Sequence, residues 1–443
     1  MKLDHRRTIL VGLAFLSICS FWQMYDSVIP KILTETFRLN ETISGAIMAL
    51  DNILALFLLP LFGALSDRTS TKIGRRMPFI LLGTACAAVL MNLLPVLDNR
   101  CAAAPSTGKL VGFAAVLGLL LVAMGTYRSP AVALMPDVTP NPLRSRANAI
   151  INLMGALGGV FTLGVTGFLV TKDAAGSEDY TLLFLAVSIL MAVSVVIVFL
   201  TIRENRLAAE VEKINEALDA QQPQPEEQPE AGKAGFRALS PELRRSLILI
   251  LCSVSLWFMG YNAVTSAFTK YVNVQWGYDI KAASRCLMIA TVGAVCSYIP
   301  VGALSSRFGR KRVIQAGVLL LAACFAAAGF YKTFHASVYA IFALVGAAWS
   351  MINVNSYPMV VEISRSSEVG KFTGYYYTFS MAAQIATPII SGWLLEHVGY
   401  QTLMPYAAIM VACSFVTISL TKHGDSRPEM PKDKLEAFDA GDD

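Results

Sequence analysis

Among the ionisable side chains inside long apolar runs of this chain, Asp26, Asp51 and Arg128 make the short list. A charge in hydrocarbon is expensive, so each should face a cavity and is a functional candidate by default. Carboxylates in such a place can carry a proton, hold a cation or accept hydrogen bonds from hydroxyl groups, and a guanidinium can neutralise them or snorkel to headgroups. Asp51, Asp26 and Arg128 therefore form a candidate proton-coupling set, with Asp51 as its proton carrier. Ligand hydrogen bonding or structural pairing is the alternative for Asp51, and a helix-end role for Asp26. Nearby residues suit a polyhydroxylated ligand, which needs polar groups to fix hydroxyl directions and aromatic faces to cover C–H surface. Trp22, Gln23, Tyr25, Asp26, Asn52 and Asn152 supply both kinds early in the chain, and Trp257, Asn262, Asn353, Asn355, Tyr375, Tyr376, Tyr377 and Gln384 later. Taken singly, each has helix packing as its alternative role, because Asn and Gln also bridge membrane helices.

The elements that must position these groups are apolar runs of about twenty residues, long enough to cross a bilayer as helix. Reading between charged and Pro/Gly-rich breaks predicts twelve, near 9–33, 42–65, 79–97, 110–135, 147–169, 181–201, 246–269, 283–304, 313–331, 336–361, 372–395 and 403–420. The fold class expected is thus an all-α membrane protein of twelve transmembrane helices in two pseudo-symmetric six-helix bundles. The first run follows Lys2, Arg6 and Arg7 but is long and has no small-x-small cleavage site, so it is read as a retained helix. At helical rise, Asp51 lies roughly 22 Å along helix two from the inner loop, Asp26 about 27 Å along helix one, and Arg128 about 14 Å along helix four. The two acids could share one cavity level.

Orientation follows from Lys and Arg placement, since short basic loops stay in the cytoplasm. The termini and even-numbered loops hold about 26 of the 36 basic residues, which puts both ends in the cytoplasm and the protein in the inner (plasma) membrane of a cell, as a multi-pass chain. The net charge of +5 is then a topology signal, and a nucleic-acid surface is a poor reading of basic residues scattered among short loops. The cysteines show no metal-ligand spacing, and the four histidines fall in loops or tails, so neither a metal nor a cofactor is expected. Six cysteines lie in apolar runs; Cys101 and Cys286 fall near outward loops and could be bridged or free.

The largest interruption contains Q-Q-P-Q-P-E-E-Q-P-E-A-G, too polar and Pro-rich to pack a core. It divides the chain into a bundle over 1–202, a cytoplasmic linker over 203–245, a second bundle over 246–421 and a tail over 422–443. Residues 204–218 carry Leu207, Val211, Ile214 and Leu218 at helical spacing, which fits a helix on the inner face or a frayed extension of helix six. The halves repeat. G-A-L-S-D-R-T-S-T-K-I-G-R-R (63–76) follows helix two, and G-A-L-S-S-R-F-G-R-K (302–311) follows helix eight; Asp137 precedes Gly167 by thirty residues, as Glu362 precedes Gly392. In the first loop Gly63 permits close helix approach, and Asp67 can accept hydrogen bonds. Gly74 lies between Arg68 and the pair Arg75 and Arg76, which can meet Asp137 at the end of helix four or face headgroups. With Arg144, Arg307 and Glu362 these make a candidate conformational latch, whose alternative is simple topology enforcement.

The first loop resembles the major facilitator signature between helices two and three, and Asp137-x-x-Pro140-x-x-x-Arg144 resembles the signature after helix four in sugar porters. The longer run S-D-R-T-S-T-K-I-G-R-R-M-P-F-I, with P-A-V-A-L-M-P-D and R-S-R-A-N-A, is similar to the sucrose and glycoside carriers and their bacterial relatives of the glycoside-pentoside-hexuronide type. That resemblance implies cation-coupled uptake of a sugar or small glycoside, driven by a proton or sodium, across the bilayer. Plant members carry an aspartate within helix four, whereas residues 110–127 here contain no acid, so coupling must lie elsewhere. The alternatives are an exporter of drugs or metabolites and a transporter-fold nutrient sensor. No convergent nucleophile or acid motif points to an enzyme.

Overall fold

The computed structural model describes residues 3–103, 106–140, 143–172, 178–219, 239–361, 363 and 369–423. Helices dominate because apolar segments in a bilayer must satisfy every backbone group internally. Their starts are written in the sequence: Asp4, Asn40, Ser106, Ser240 and Asp279 each accept a hydrogen bond from a backbone N–H of the following turn. The first six spans are α1 His5–Lys31, α2 Glu41–Arg68, α3 Met77–Ala103, α4 Thr107–Asp137, α5 Arg144–Leu169 and α6 Thr181–Thr201. A short helix α7, Glu204–Asp219, begins the linker. The second six are α8 Pro241–Trp276, α9 Ile280–Phe308, α10 Arg310–Gly329, α11 Ser337–Val361, α12 Val369–His397 and α13 Leu403–Ser419. All twelve spans are long and apolar enough to cross a membrane.

Several spans outrun the apolar stretch that marked them. A π-helical turn, Ile32–Thr36, continues α1, and α8 reaches Trp276 before Gly277, at φ +70°, ends it. These extensions carry Thr34, Glu35, Thr36, Lys270, Asn273 and Gln275, whose polarity is why hydropathy alone cuts them short.

Each half has its own apolar core, one built on α1 and α3–α6 and the other on α8–α13. The halves meet through α1 on α8, α2 on α12 and α5 on α9. The last two pairs are equivalent under exchange of the halves, second helix against fifth in each case, as a pseudo-two-fold repeat requires. Gly45 of α2 and Gly392 of α12 make one of these crossings possible. A Cβ on Gly45 would lie 1.9 Å from the Pro388 carbonyl oxygen, and one on Gly392 2.4 Å from that of Glu41.

With twelve crossings, the start of α1, the linker and the end of α13 share one side of the bundle, called here the linker side. Glu41 and Lys270 lie on the far side. Cys101 and Cys286 are both unpaired, so of the two states left open for them the free one is found.

Candidate functional site

Helices α1, α2, α4, α8 and α12 together wall a cavity of about 220 Å³. Seven residues singled out from sequence line it: Trp22, Asp26, Asp51, Asn52, Arg128, Asn262 and Gln384. The structure adds Met48, Thr265, Ser266 and Pro388. Each of these four lies three or four residues from a named one, so helical periodicity was a usable signal for them.

Asn52 Nδ2 donates to Asp51 Oδ1 at 2.9 Å. The Arg128 guanidinium sits over the Trp22 ring, 5.6 Å from its centroid. With both acids ionised, Asp26, Asp51 and Arg128 leave one net negative charge in the wall. Trp22 Nε1 and Asn262 Nδ2 are buried donors without a hydrogen-bond partner. Pro30 and Pro388 have no N–H to give the carbonyls four residues back, which belong to Asp26 and Gln384 of the same wall. Unmet donors beside carboxylates and freed carbonyls complement a ligand whose groups both donate and accept, as hydroxyls do.

The other candidates lie elsewhere. Trp22 and Asp26 share a face of α1, whereas Gln23 and Tyr25 are turned roughly 80° to either side of it. Accordingly Gln23 donates to Ser27 Oγ at 3.3 Å beside Gly159 of α5, and Tyr25 packs into the first-half core. Asn353 and Asn355 are buried in α11, and Asn355 donates to the Met351 carbonyl at 2.9 Å. Tyr376 is fully buried and shares a 2.9 Å hydrogen bond with Ser356 Oγ, joining α12 to α11. Trp257 belongs to the second-half core. None of these is among the cavity-lining residues.

The far side of the cavity is closed by contacts that sequence reasoning did not anticipate. Glu41 of α2 pairs with Lys270 of α8 and accepts from the Tyr400 hydroxyl, while the Thr42 amide donates to Glu396 at 3.1 Å. Lys31, fully buried, meets Glu178 at 2.8 Å. Glu178 also accepts from Tyr180 at 2.8 Å and from the Ile280 amide of the second half. It is held in place by a two-residue antiparallel ladder, β1 Thr171–Lys172 and β2 Glu178–Asp179. Burial works against its charge, but Lys31 and the Tyr180 hydrogen bond outweigh burial and hold the carboxyl below its ordinary 4.5. Glu41 and Lys270 fall just outside the apolar runs 42–65 and 246–269 because the helices bearing them extend past those runs, and Lys31 stands near the end of its run.

The sequence profile of the Major Facilitator Superfamily matches residues 11–297 and 282–439. The chain belongs to that superfamily. Curated relatives include a sucrose transport protein of Arabidopsis thaliana, 28% identical over 33% of this chain and 27% of its own length. A putative glycoside/cation symporter of Escherichia coli (strain K12) is 28% identical over 36% of this chain and 35% of its own length. An isoprimeverose transporter of Lactiplantibacillus pentosus is 26% identical over 39% of this chain and 35% of its own length. The matched stretches thus span about a quarter to a third of these relatives. Among solved structures, a D-xylose-proton symporter superposes with a TM-score of 0.66 over 94% of this chain and 97% of its own, at 14% identity. At that identity the likeness is one of fold.

On the linker side, this superfamily member carries a dense polar cluster. Arg75 and Arg76 both reach Asp137 at the end of α4, at 2.6 and 2.9 Å, and Arg76 also pairs with Asp67 and donates to Ser66 Oγ at 2.5 Å and the Gly63 carbonyl at 3.4 Å. Glu204, first residue of α7 and almost fully buried, was missed by sequence reasoning. Its carboxylate accepts from the backbone amides of Arg75, Arg76 and Met77 at 2.8, 2.8 and 3.0 Å, and so caps the start of α3. Gly74 makes room: its φ is +127°, and a Cβ there would lie 2.0 Å from Glu204 Oε2. Ile202 is extended, so α7 is a separate helix docked through Leu207 and Val211 rather than a continuation of α6.

Other members of the predicted latch are placed differently. Arg144 donates to the Thr139 and Pro136 carbonyls at 3.3 and 3.0 Å, closing the end of α4. Arg68 is exposed, and Arg307 lies over the Phe308 ring at 5.3 Å. Glu362 lies outside the described residues. The ion pairs around Asp137 thus tie α2 and α4 to the start of α3, and the Glu204 hydrogen bonds add α7, all within the first half.

Proposed function

We propose that this chain is a secondary transporter, not an enzyme, that takes up a sugar or small glycoside by cation-coupled alternating access. One observation carries the reading. At the junction of the halves, a single cavity brings together two carboxyl groups, one guanidinium, an indole face and unmet hydrogen-bond donors. The printed functions of the similar sucrose, glycoside and isoprimeverose carriers support the substrate class.

The mechanism follows from charge. With Asp26 and Asp51 both ionised the wall carries one net negative charge, so binding one proton or sodium ion makes it neutral and lowers the cost of moving it through the membrane. Asp51 is the coupling acid in this reading, with Arg128 as its counter-charge. Asp26, Trp22, Asn262 and Gln384 hold the sugar. The linker side is cytoplasmic, and the Glu41–Lys270–Tyr400 contacts are the closed outer gate of an inward-facing state. Residues 203–245 act as the tether that lets the bundles 1–202 and 246–421 rock.

The test is uptake of radiolabelled mono-, di- and trisaccharides into proteoliposomes under a proton or a sodium gradient, after a ligand-induced thermal-shift screen. Accumulation that collapses with one of the two gradients is expected. Gradient-independent equilibration of every sugar that binds would refute coupling.

A further inference from the structure

The geometry points to a binding site for the headgroup of an anionic phospholipid on the linker side, where α1, α6 and α7 converge. A pocket of about 330 Å³ there is walled by Arg6 and Arg7 of the first turn of α1, Arg203 between α6 and α7, and Arg206 of α7. Asp4 and Glu210 share the wall, but each is already engaged. Asp4 caps α1 and lies 3.7 Å from Arg7, and Glu210 lies 3.1 Å from Arg206. Arg6 and Arg203 have no carboxylate at ion-pair distance among the described residues. The lining is left with two positive charges in excess, enough for one or two phosphodiester groups.

Position decides that the anion is a lipid. The pocket lies at the level where the α1 span begins and the α6 span ends, so it opens at the headgroup layer. Its floor is apolar, from Leu10, Ile202 and Leu207. Next in sequence to its lining residues Leu10 and Thr201, Ile9 on α1 and Leu200 on α6 are 45% and 71% exposed on membrane-spanning helices. A phosphate held by the guanidiniums would therefore have acyl chains lying along that strip, which a free phosphate could not use. A second pocket on the same side carries five carboxylates against two arginines, so the attraction for anions is local to this corner. An occupant would also brace Arg203, the residue before Glu204, and with it the cap on α3.

The experiment uses the purified full chain in zwitterionic micelles, titrated with phosphatidylglycerol, phosphatidylcholine or inorganic phosphate, and reads the thermal midpoint and the apparent Kd. Saturable stabilisation by phosphatidylglycerol alone is expected. Removing two guanidiniums in Arg6→Ala/Arg203→Ala should weaken phosphatidylglycerol roughly 30-fold, taking each arginine's attraction to an anionic lipid layer. Arg6→Lys/Arg203→Lys should keep most of the affinity, and Arg244→Ala/Arg245→Ala, on the same side but on α8, should keep all of it. Should the double alanine variant not fold, Arg203→Gln, with a loss of roughly 5-fold, decides the matter. Equal affinity in wild type and in Arg6→Ala/Arg203→Ala or Arg203→Gln would overturn the proposal, as would inorganic phosphate stabilising as well as the lipid.

Discussion

Replacing Asp51 by asparagine tests the coupling assignment without disturbing shape. Asp51 lies about 15 Å along α2 from Glu41, in the wall that also holds Asp26 and Arg128. An asparagine there keeps an oxygen for the 2.9 Å hydrogen bond from Asn52 and removes one negative charge, so the wall becomes neutral with no ion bound. The variant is thus fixed in the charge state that wild type reaches only after taking up its cation. Sugar exchange, which needs no net cation movement, should stay within about 3-fold of wild type, since none of the groups assigned to sugar is changed. Accumulation should fail. With one proton per sugar, a pH gradient of one unit is worth about 1.4 kcal/mol and drives about tenfold accumulation in wild type. The variant should stop near an inside-to-outside ratio of about one. Paired counterflow and pH-jump uptake in the same proteoliposomes separate the two quantities, and a sodium jump tests the other ion. Normal proton-driven accumulation by Asp51→Asn would refute the reasoning and move the role to Asp26. Loss of exchange together with accumulation would instead make Asp51 a ligand for sugar.

Glu204→Ala should destabilise the protein by about 3 kcal/mol, the loss of a helix cap plus buried amides left unmet, measured by reversible unfolding in mixed micelles. Glu204→Gln should fall between it and wild type, and a loss under about 0.5 kcal/mol would show that water replaces the cap freely. The Lys31–Glu178 contact has a defined pH window. Because the folded carboxyl is held below 4.5, its contribution is fully present above that value and is lost only as pH falls through the lower folded one. The stability difference between wild type and Glu178→Gln, measured by unfolding in mixed micelles, should then be flat between about pH 5 and 8, and a midpoint inside that window would contradict it. Topology is best probed at exposed Thr171, because Cys101 is buried. Thr171→Cys should react with an impermeant thiol reagent from outside the cell, and reaction from the cytoplasmic side alone would reverse the orientation.

Twelve apolar runs were legible from sequence because membrane insertion selects on local hydrophobicity, a property of one segment at a time. The repeat of the 63–76 motif at 302–311 likewise revealed two related halves. Asp26, Asp51 and Arg128 could be named in advance, since a charge within an apolar run stands out whatever surrounds it. Which neighbours join them depends on rotation about each helix axis and on how the helices pack. Hence Asn262 and Gln384 reach the cavity, while Asn353, Asn355 and Tyr376, of similar chemistry, hold α11 and α12 together. The closing pairs, Lys270 with Glu41 and Lys31 with Glu178, join residues 229 and 147 positions apart. No local pattern marks such a pair. Glu204 looked like an ordinary charge at the head of an amphipathic helix, and only the return of the linker against Gly74 made it the cap of α3. Local composition decided what enters the membrane, and long-range packing decided which polar groups meet there, because a hydrogen bond or ion pair depends on distances that only the assembled bundle sets.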